Sequence, residues 1–95
     1  DDEFVAAVED ASCAIVDVRE PHEFAAGHVP GAINQPLSSF DPAQLPPDQP
    51  VVLICQSGKR SLAALRAAKE AGRSDVRHYA PGTGGWRMRG GPVTL

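Results

Sequence analysis

The stretch "VVLICQSGKRSLAALRAAKEAG", residues 51–72, decides the fold. Its first five residues, Val51 to Cys55, form an unbroken apolar run that begins just after Pro50, the pattern of a strand buried on both faces. The alanine- and leucine-rich segment 61–72 reads as a helix, with Ser61 placed to cap it and Gly72 to end it. Between them runs the turn "QSGKRS". A thiol therefore leaves a buried strand and is followed, three to five residues on, by glycine, lysine and arginine. Buried cysteines are common and usually inert, so the thiol alone establishes nothing. Its surroundings carry the case.

Outward from this segment, strands alternate with short helical stretches. "CAIVDVR" (13–19) reads as a buried strand, apolar from Ala14 to Val18 apart from Asp17. "EPHEFAAG" (20–27) has Pro21 at a first helical position and Gly27 as a stop. "AINQPL" (32–37) is a weaker strand closed by Pro36, and "FDPAQLPPDQP" (40–50), with four of the nine prolines, is an extended surface loop or short helical turn. "DVRHYA" (75–80) is a last strand, and "PGTGGWRMRGG" (81–91) reads as a glycine-rich loop around Trp86. At the start, Asp1 or Asp2 could cap a short helix whose Phe4, Val5 and Val8 share one face. Strands separated by helices require crossover connections, so the class is α/β with a mostly parallel central sheet flanked by short helices. Ligands of such sheets bind at the carboxyl ends of the strands, where both Asp17 and Cys55 fall.

Composition narrows the function. Ninety-five residues, 42% of them hydrophobic, suit one domain over 1–95 with a modest core. A formal charge of −3 and no basic stripe argue against a nucleic-acid partner. The longest apolar run has five residues, too short to span a membrane, and no charged-then-apolar leader opens the sequence. A cytoplasmic location is the resulting expectation. Cys13 and Cys55 lack the spacing of metal ligands, as do His22, His28 and His78, so no metal is expected. A chain of this size with its own core does not need a disulfide in a reducing compartment.

The turn after Cys55 is suited to an anion. Gly58 permits a positive φ, which lets several N–H groups point into one bowl. The following helix adds the positive end of its dipole, and Lys59 and Arg60 add two formal charges. A Cys55 thiolate at the centre should have a depressed pKa and be the reactive form near neutral pH. Two chemistries fit such a bowl: phosphate-ester hydrolysis, and transfer of a sulfur atom through a cysteine persulfide. A tetrahedral phosphate needs the wider cradle. Here Arg60 is the fifth residue after the cysteine, which is the tighter arrangement.

"DVREPHEF" (17–24), "GHVPGAINQPL" (27–37), "CQSGKRS" (55–61) and "GTGGWRMRGGPV" (82–93) together resemble the rhodanese-like sulfurtransferases, in the family's order and over essentially the whole chain. The resemblance implies a rhodanese-like fold in a single domain, with Cys55 as nucleophile and Gln56, Ser57, Gly58, Lys59, Arg60 and Ser61 as the donor-binding loop. It implies sulfur transfer from thiosulfate or a persulfide to cyanide or a thiol, with no cofactor. The partners so implied are a small anionic sulfur donor and a thiol or protein acceptor. Related cysteine phosphatases and arsenate reductases carry arginine at the sixth position after the cysteine, which here is Ser61. A persulfide relay module serving a partner protein is the other reading the motifs allow.

Several residues take supporting roles. An unpaired Asp17 carboxylate in an apolar run would be costly. Arg19, on the same strand face, can pair with it, and in the family these positions flank the active site, which suits an orienting role. His28 is read as fixing its turn by hydrogen bonding, His22 as solvent-facing, His78 as lying in or beside the last strand, and Trp86 and Cys13 as packing residues. The family usually shows two adjacent glycines where this chain has Pro81 and Gly82, and a larger apolar residue where it has Gly84, so the mouth of the pocket is expected to differ in shape.

Overall fold

The computed structural model describes residues 2–10 and 13–95. It contains α1 (Asp2–Asp10), β1 (Ala14–Asp17), α2 (Pro21–Ala25), β2 (Ile33–Asn34), β3 (Val51–Ile54), α3 (Lys59–Glu70), β4 (Val76–His78) and α4 (Gly82–Met88). Two short 3-10 turns, Leu37–Ser39 and Pro42–Gln44, sit in and before the proline-rich segment. The four strands form one sheet in the order β2-β1-β3-β4, all pairs parallel. The capping expected of Asp1 lies outside the described residues, and Asp2 is the first residue of α1.

The central position of β3 follows from its composition. All four of its residues are buried, as only a strand covered on both faces requires. Alternation sends Val51, Leu53 and Cys55 into one core with Val16, Val18, Ala64, Ala68 and Val76, and Val52 and Ile54 into another with Phe4, Ile15, Val29, Tyr79 and Trp86. Helix α3 covers the first face with small side chains, so it packs close to the sheet. On the second face Phe4 of α1 stacks on Tyr79 at 4.0 Å and meets Trp86 edge-on at 5.2 Å. Each fully buried Val or Leu contributes about 1.5–3 kcal/mol relative to exposure.

Two sequence expectations change. The helix after Cys55 begins at Lys59, with Gly58 rather than Ser61 at its N-cap. Ser61 lies inside the first turn, fully buried. The segment 81–91, expected as a loop, contains α4. Its glycines disfavour a helix on propensity alone, but its first turn is bonded from outside: Thr83 N–H donates to Cys55 O at 2.7 Å and Gly84 N–H to Gln56 O at 3.0 Å. Tertiary hydrogen bonds override propensity here. Trp86 is buried, and its indole N–H donates to Pro92 O at 2.7 Å, in keeping with a packing role.

Candidate active site

Strand β3 delivers Cys55 to the carboxyl edge of the sheet, where its side chain is 1% exposed. Gly58 has φ +97°, a conformation that strains any residue with a Cβ, and a Cβ there would collide with Ala80 O. This turn folds the chain back, so that Gly58 N–H donates to Cys55 Sγ at 3.0 Å. Gly82, with φ +70°, closes the other wall: a Cβ on it would meet the carbonyls of Cys55 and Gln56. Two glycines far apart in sequence thus fix the cysteine loop between α3 and α4.

Ser61 completes the shell around the thiol. Its Oγ lies 3.6 Å from Cys55 Sγ, donates to Gly58 O at 3.2 Å, and sits 2.9 Å from His78 Nδ1. Burial raises the Cys55 pKa, yet hydrogen bonds from the Ser61 hydroxyl and from the N–H groups of Ser61, Ser57 and Gly58 outweigh it, and the net shift is downward. The thiolate is held by dipoles more than by formal charges.

The cations are placed differently from what the sequence suggests. Arg60 makes a two-pronged ion pair with Glu23, NH1 to Oε1 at 2.6 Å and NH2 to Oε2 at 2.9 Å. The Glu23 carboxyl is lowered to about 2 by that guanidinium, against the opposing effect of burial and with help from Glu20 N–H. Lys59 is exposed. Gln56 and Ser57 are also exposed, at the rim of the loop. Arg19 grips Asp17 through Nε and NH2 at 2.9–3.1 Å and donates to Gly27 O at 2.8 Å, and both side chains are buried. This pair ties the end of β1 to the segment after α2, which carries His28. The His28 ring stacks on Phe24 at 3.7 Å, with Nδ1 2.9 Å from Phe24 O. His22 is exposed.

Sequence reasoning missed Glu23 and His78 at the site. Glu23 lies 37 residues from Arg60 and His78 lies 17 from Ser61, so no local pattern signals either contact. Cys13 stands at the opposite end of the sheet. The register Ala14↔Val51 puts it level with Pro50, five residues or about 16 Å of strand from Cys55. Disulfide geometry needs Cα atoms closer than ~7 Å, and both cysteines are free. Among the described residues no group of three His, Cys, Asp or Glu side chains could hold a metal ion, and no helix is long and apolar enough to cross a membrane.

A cysteine at the carboxyl end of a parallel strand, inside a ring of N–H donors, can act as a nucleophile and hold a small anionic product. Comparison with known proteins agrees with this geometry. The human thiosulfate:glutathione sulfurtransferase is 37% identical over 82 residues, covering 70% of this chain and 71% of that protein. A sulfurtransferase of Allochromatium vinosum is 33% identical over 81 residues, covering 83% and 76%. The crystal structure of a rhodanese-related protein from Thermoplasma volcanium superposes with a TM-score of 0.84 at 29% identity, over 95% of this chain and 91% of that one. Other curated relatives are longer, and the chain spans 45%, 36% and 20% of the length of three of them. The model of the rhodanese-like domain matches residues 1–89, so the chain belongs to the rhodanese-like sulfurtransferase family.

Proposed function

We propose that residues 1–95 act as one rhodanese-like domain that moves a sulfane sulfur from thiosulfate or a persulfide to cyanide or a thiol through a Cys55 persulfide. The observation that carries this reading is the Gly58 N–H directed at Cys55 Sγ at 3.0 Å within the tight 55–61 loop. In the first step the Cys55 thiolate attacks the outer sulfur of the donor. The S–S bond of the donor breaks, and sulfite, or the thiolate of a persulfide donor, leaves with the bonding pair. Cys55 then carries S–S⁻, stabilised by the N–H groups of the loop. An acceptor nucleophile attacks the outer sulfur and returns the Cys55 thiolate. Atoms and charge balance without a metal or an organic cofactor.

The roles follow position. Gln56, Ser57, Gly58, Lys59, Arg60 and Ser61 form the donor-binding loop, and the Asp17–Arg19 pair holds the neighbouring wall. Two free cysteines suit a reducing compartment, and the cytoplasm is the proposed location. Steady-state thiocyanate formation from thiosulfate and cyanide, set beside sulfur transfer to thiol and protein acceptors, tests the reading. Turnover of either kind that disappears in Cys55→Ser supports it. Transfer only to a protein acceptor would make the domain a relay. Phosphoester hydrolysis with no sulfur transfer would overturn the proposal.

A further inference from the structure

Two arginines stand beside the cysteine loop, and each already has a carboxylate. Arg19 is held by buried Asp17, and Arg60 by Glu23 in a bidentate fork. Glu23 is itself fixed on α2, where its Oε1 accepts Glu20 N–H at 3.0 Å. The carboxylate of Glu20 is engaged elsewhere, with Ser38 Oγ at 3.0 and 3.1 Å. Arg60 and Glu23 are about one-third and one-quarter exposed, so the pair sits at the mouth of the site rather than in the core. Formal charge from the two pairs therefore cancels where a donor must enter. Among the described residues, exposed Lys59 is the cation of the loop that has no carboxylate fork.

Donors differ in what they ask of this mouth. Thiosulfate brings two negative charges, spread over its terminal sulfur and its oxygens and left on the departing sulfite, so it depends on net positive charge at the mouth, which falls to Lys59 alone while Glu23 matches Arg60. A persulfide is a stronger acid than a thiol and enters as the monoanion R–S–S⁻, with one charge fewer at its reacting group than thiosulfate. Attack by Cys55–S⁻ on its outer sulfur gives Cys55–S–S⁻ and R–S⁻, with one S–S bond formed and one broken. Resting on the sulfurtransferase reading above, we propose that Glu23 is a specificity-determining residue that, by matching the charge of Arg60, directs the site away from thiosulfate and toward persulfide donors.

The test is a charge cycle at the pair. The rate of Cys55 persulfide formation is measured by mass spectrometry with thiosulfate and with cysteine persulfide, on the wild-type protein, Glu23→Gln, Arg60→Gln and the double variant. Gln at 23 keeps an oxygen for Glu20 N–H, which preserves the helix start. Glu23→Gln is expected to raise the thiosulfate-to-persulfide rate ratio about fivefold, the scale of a partly exposed ion pair. Arg60→Gln should lower the ratio, and the double variant, again neutral at the pair, should return close to wild type. A ratio that Glu23→Gln leaves unchanged or lowers, or a double variant that matches Arg60→Gln, would overturn the role of Glu23 while sulfur transfer itself stood. Failure of the folded wild-type protein to load sulfur from either donor would overturn the sulfurtransferase reading, and this proposal with it.

Discussion

Replacing Ser61 with alanine isolates the part of the Cys55 environment that a hydroxyl supplies. The Ser61 Oγ has one proton and three neighbours: Cys55 Sγ at 3.6 Å, Gly58 O at 3.2 Å and His78 Nδ1 at 2.9 Å. Serving the thiolate means turning that proton from Gly58 O toward sulfur, while the second contact to oxygen can be filled by His78. A hydrogen bond to a charged group contributes about 1.5–3 kcal/mol. The long contact to sulfur and the competing carbonyl place this one at the low end. With 1.36 kcal/mol per pH unit, Ser61→Ala should raise the Cys55 titration midpoint by about one unit. Below that midpoint the reactive thiolate falls about tenfold. The N–H groups of Ser61, Ser57 and Gly58 stay in place and keep the rest of the shift.

The assay is the rate of Cys55 alkylation by iodoacetamide as a function of pH, with the ultraviolet absorbance of the thiolate as a second readout and circular dichroism to verify the fold. The sign is fixed by the direction of the shift. Removing a donor to the charged form moves the midpoint up, toward the ordinary thiol range. His78→Leu should move it the same way by less, because the Ser61 hydroxyl remains but is no longer oriented, and His78→Asn, which keeps a donor near Nδ1, should restore much of it. A Ser61→Ala midpoint equal to or below that of the wild-type protein would refute the reasoning and leave the backbone N–H groups as the whole source of the depression.

Other outcomes follow from the same contacts. Inserting one glycine between Gly58 and Lys59 moves the arginine to the sixth position after Cys55 and loosens the N–H ring, so thiosulfate turnover should fall and phosphate or arsenate affinity should rise; a folded variant with full turnover and no oxyanion affinity would show that loop length does not select the chemistry. Thr83 Oγ1 is buried without a hydrogen-bond partner among the described residues, so Thr83→Val, nearly identical in shape, should raise stability by about 1 kcal/mol in urea denaturation; a loss would mean the hydroxyl is satisfied. Asp17→Asn leaves the buried Arg19 without its counter-charge and should cost about 3 kcal/mol in the same experiment; a neutral result would contradict the structural role given to the pair.

The sequence carried the fold where local signals agree with the tertiary structure. Val51–Cys55 is apolar without interruption because β3 is central and covered on both faces, and Gly72 ends α3 in the left-handed conformation it was expected to supply, at φ +96°. Pro21 opens α2 as its fixed φ predicts. Agreement ends where distant contacts decide. Helix α4 is hidden by its three glycines, since the Cys55 and Gln56 carbonyls that nucleate it are supplied from another part of the chain. Ser61 has the composition of a cap, yet the positive φ of Gly58 lets the helix start two residues earlier and turns Ser61 inward. The charges of Lys59 and Arg60 are visible in sequence, but the pairing of Arg60 with Glu23 is not. The position of Cys55 and the turn that encloses it are therefore legible from residues 51–72, and the electrostatics of the mouth are not.

The central claim is that sulfur is carried on Cys55. Intact-mass measurement after treatment of the reduced protein with a sulfur donor, followed by peptide mapping, tests it most directly. Both thiosulfate and cysteine persulfide would be used, so that donor preference does not decide the outcome. The account predicts the addition of one sulfur atom, located on the peptide containing Cys55, released by cyanide, and absent from Cys55→Ser. Sulfur found on Cys13, or loading and turnover that persist in Cys55→Ser, would contradict it.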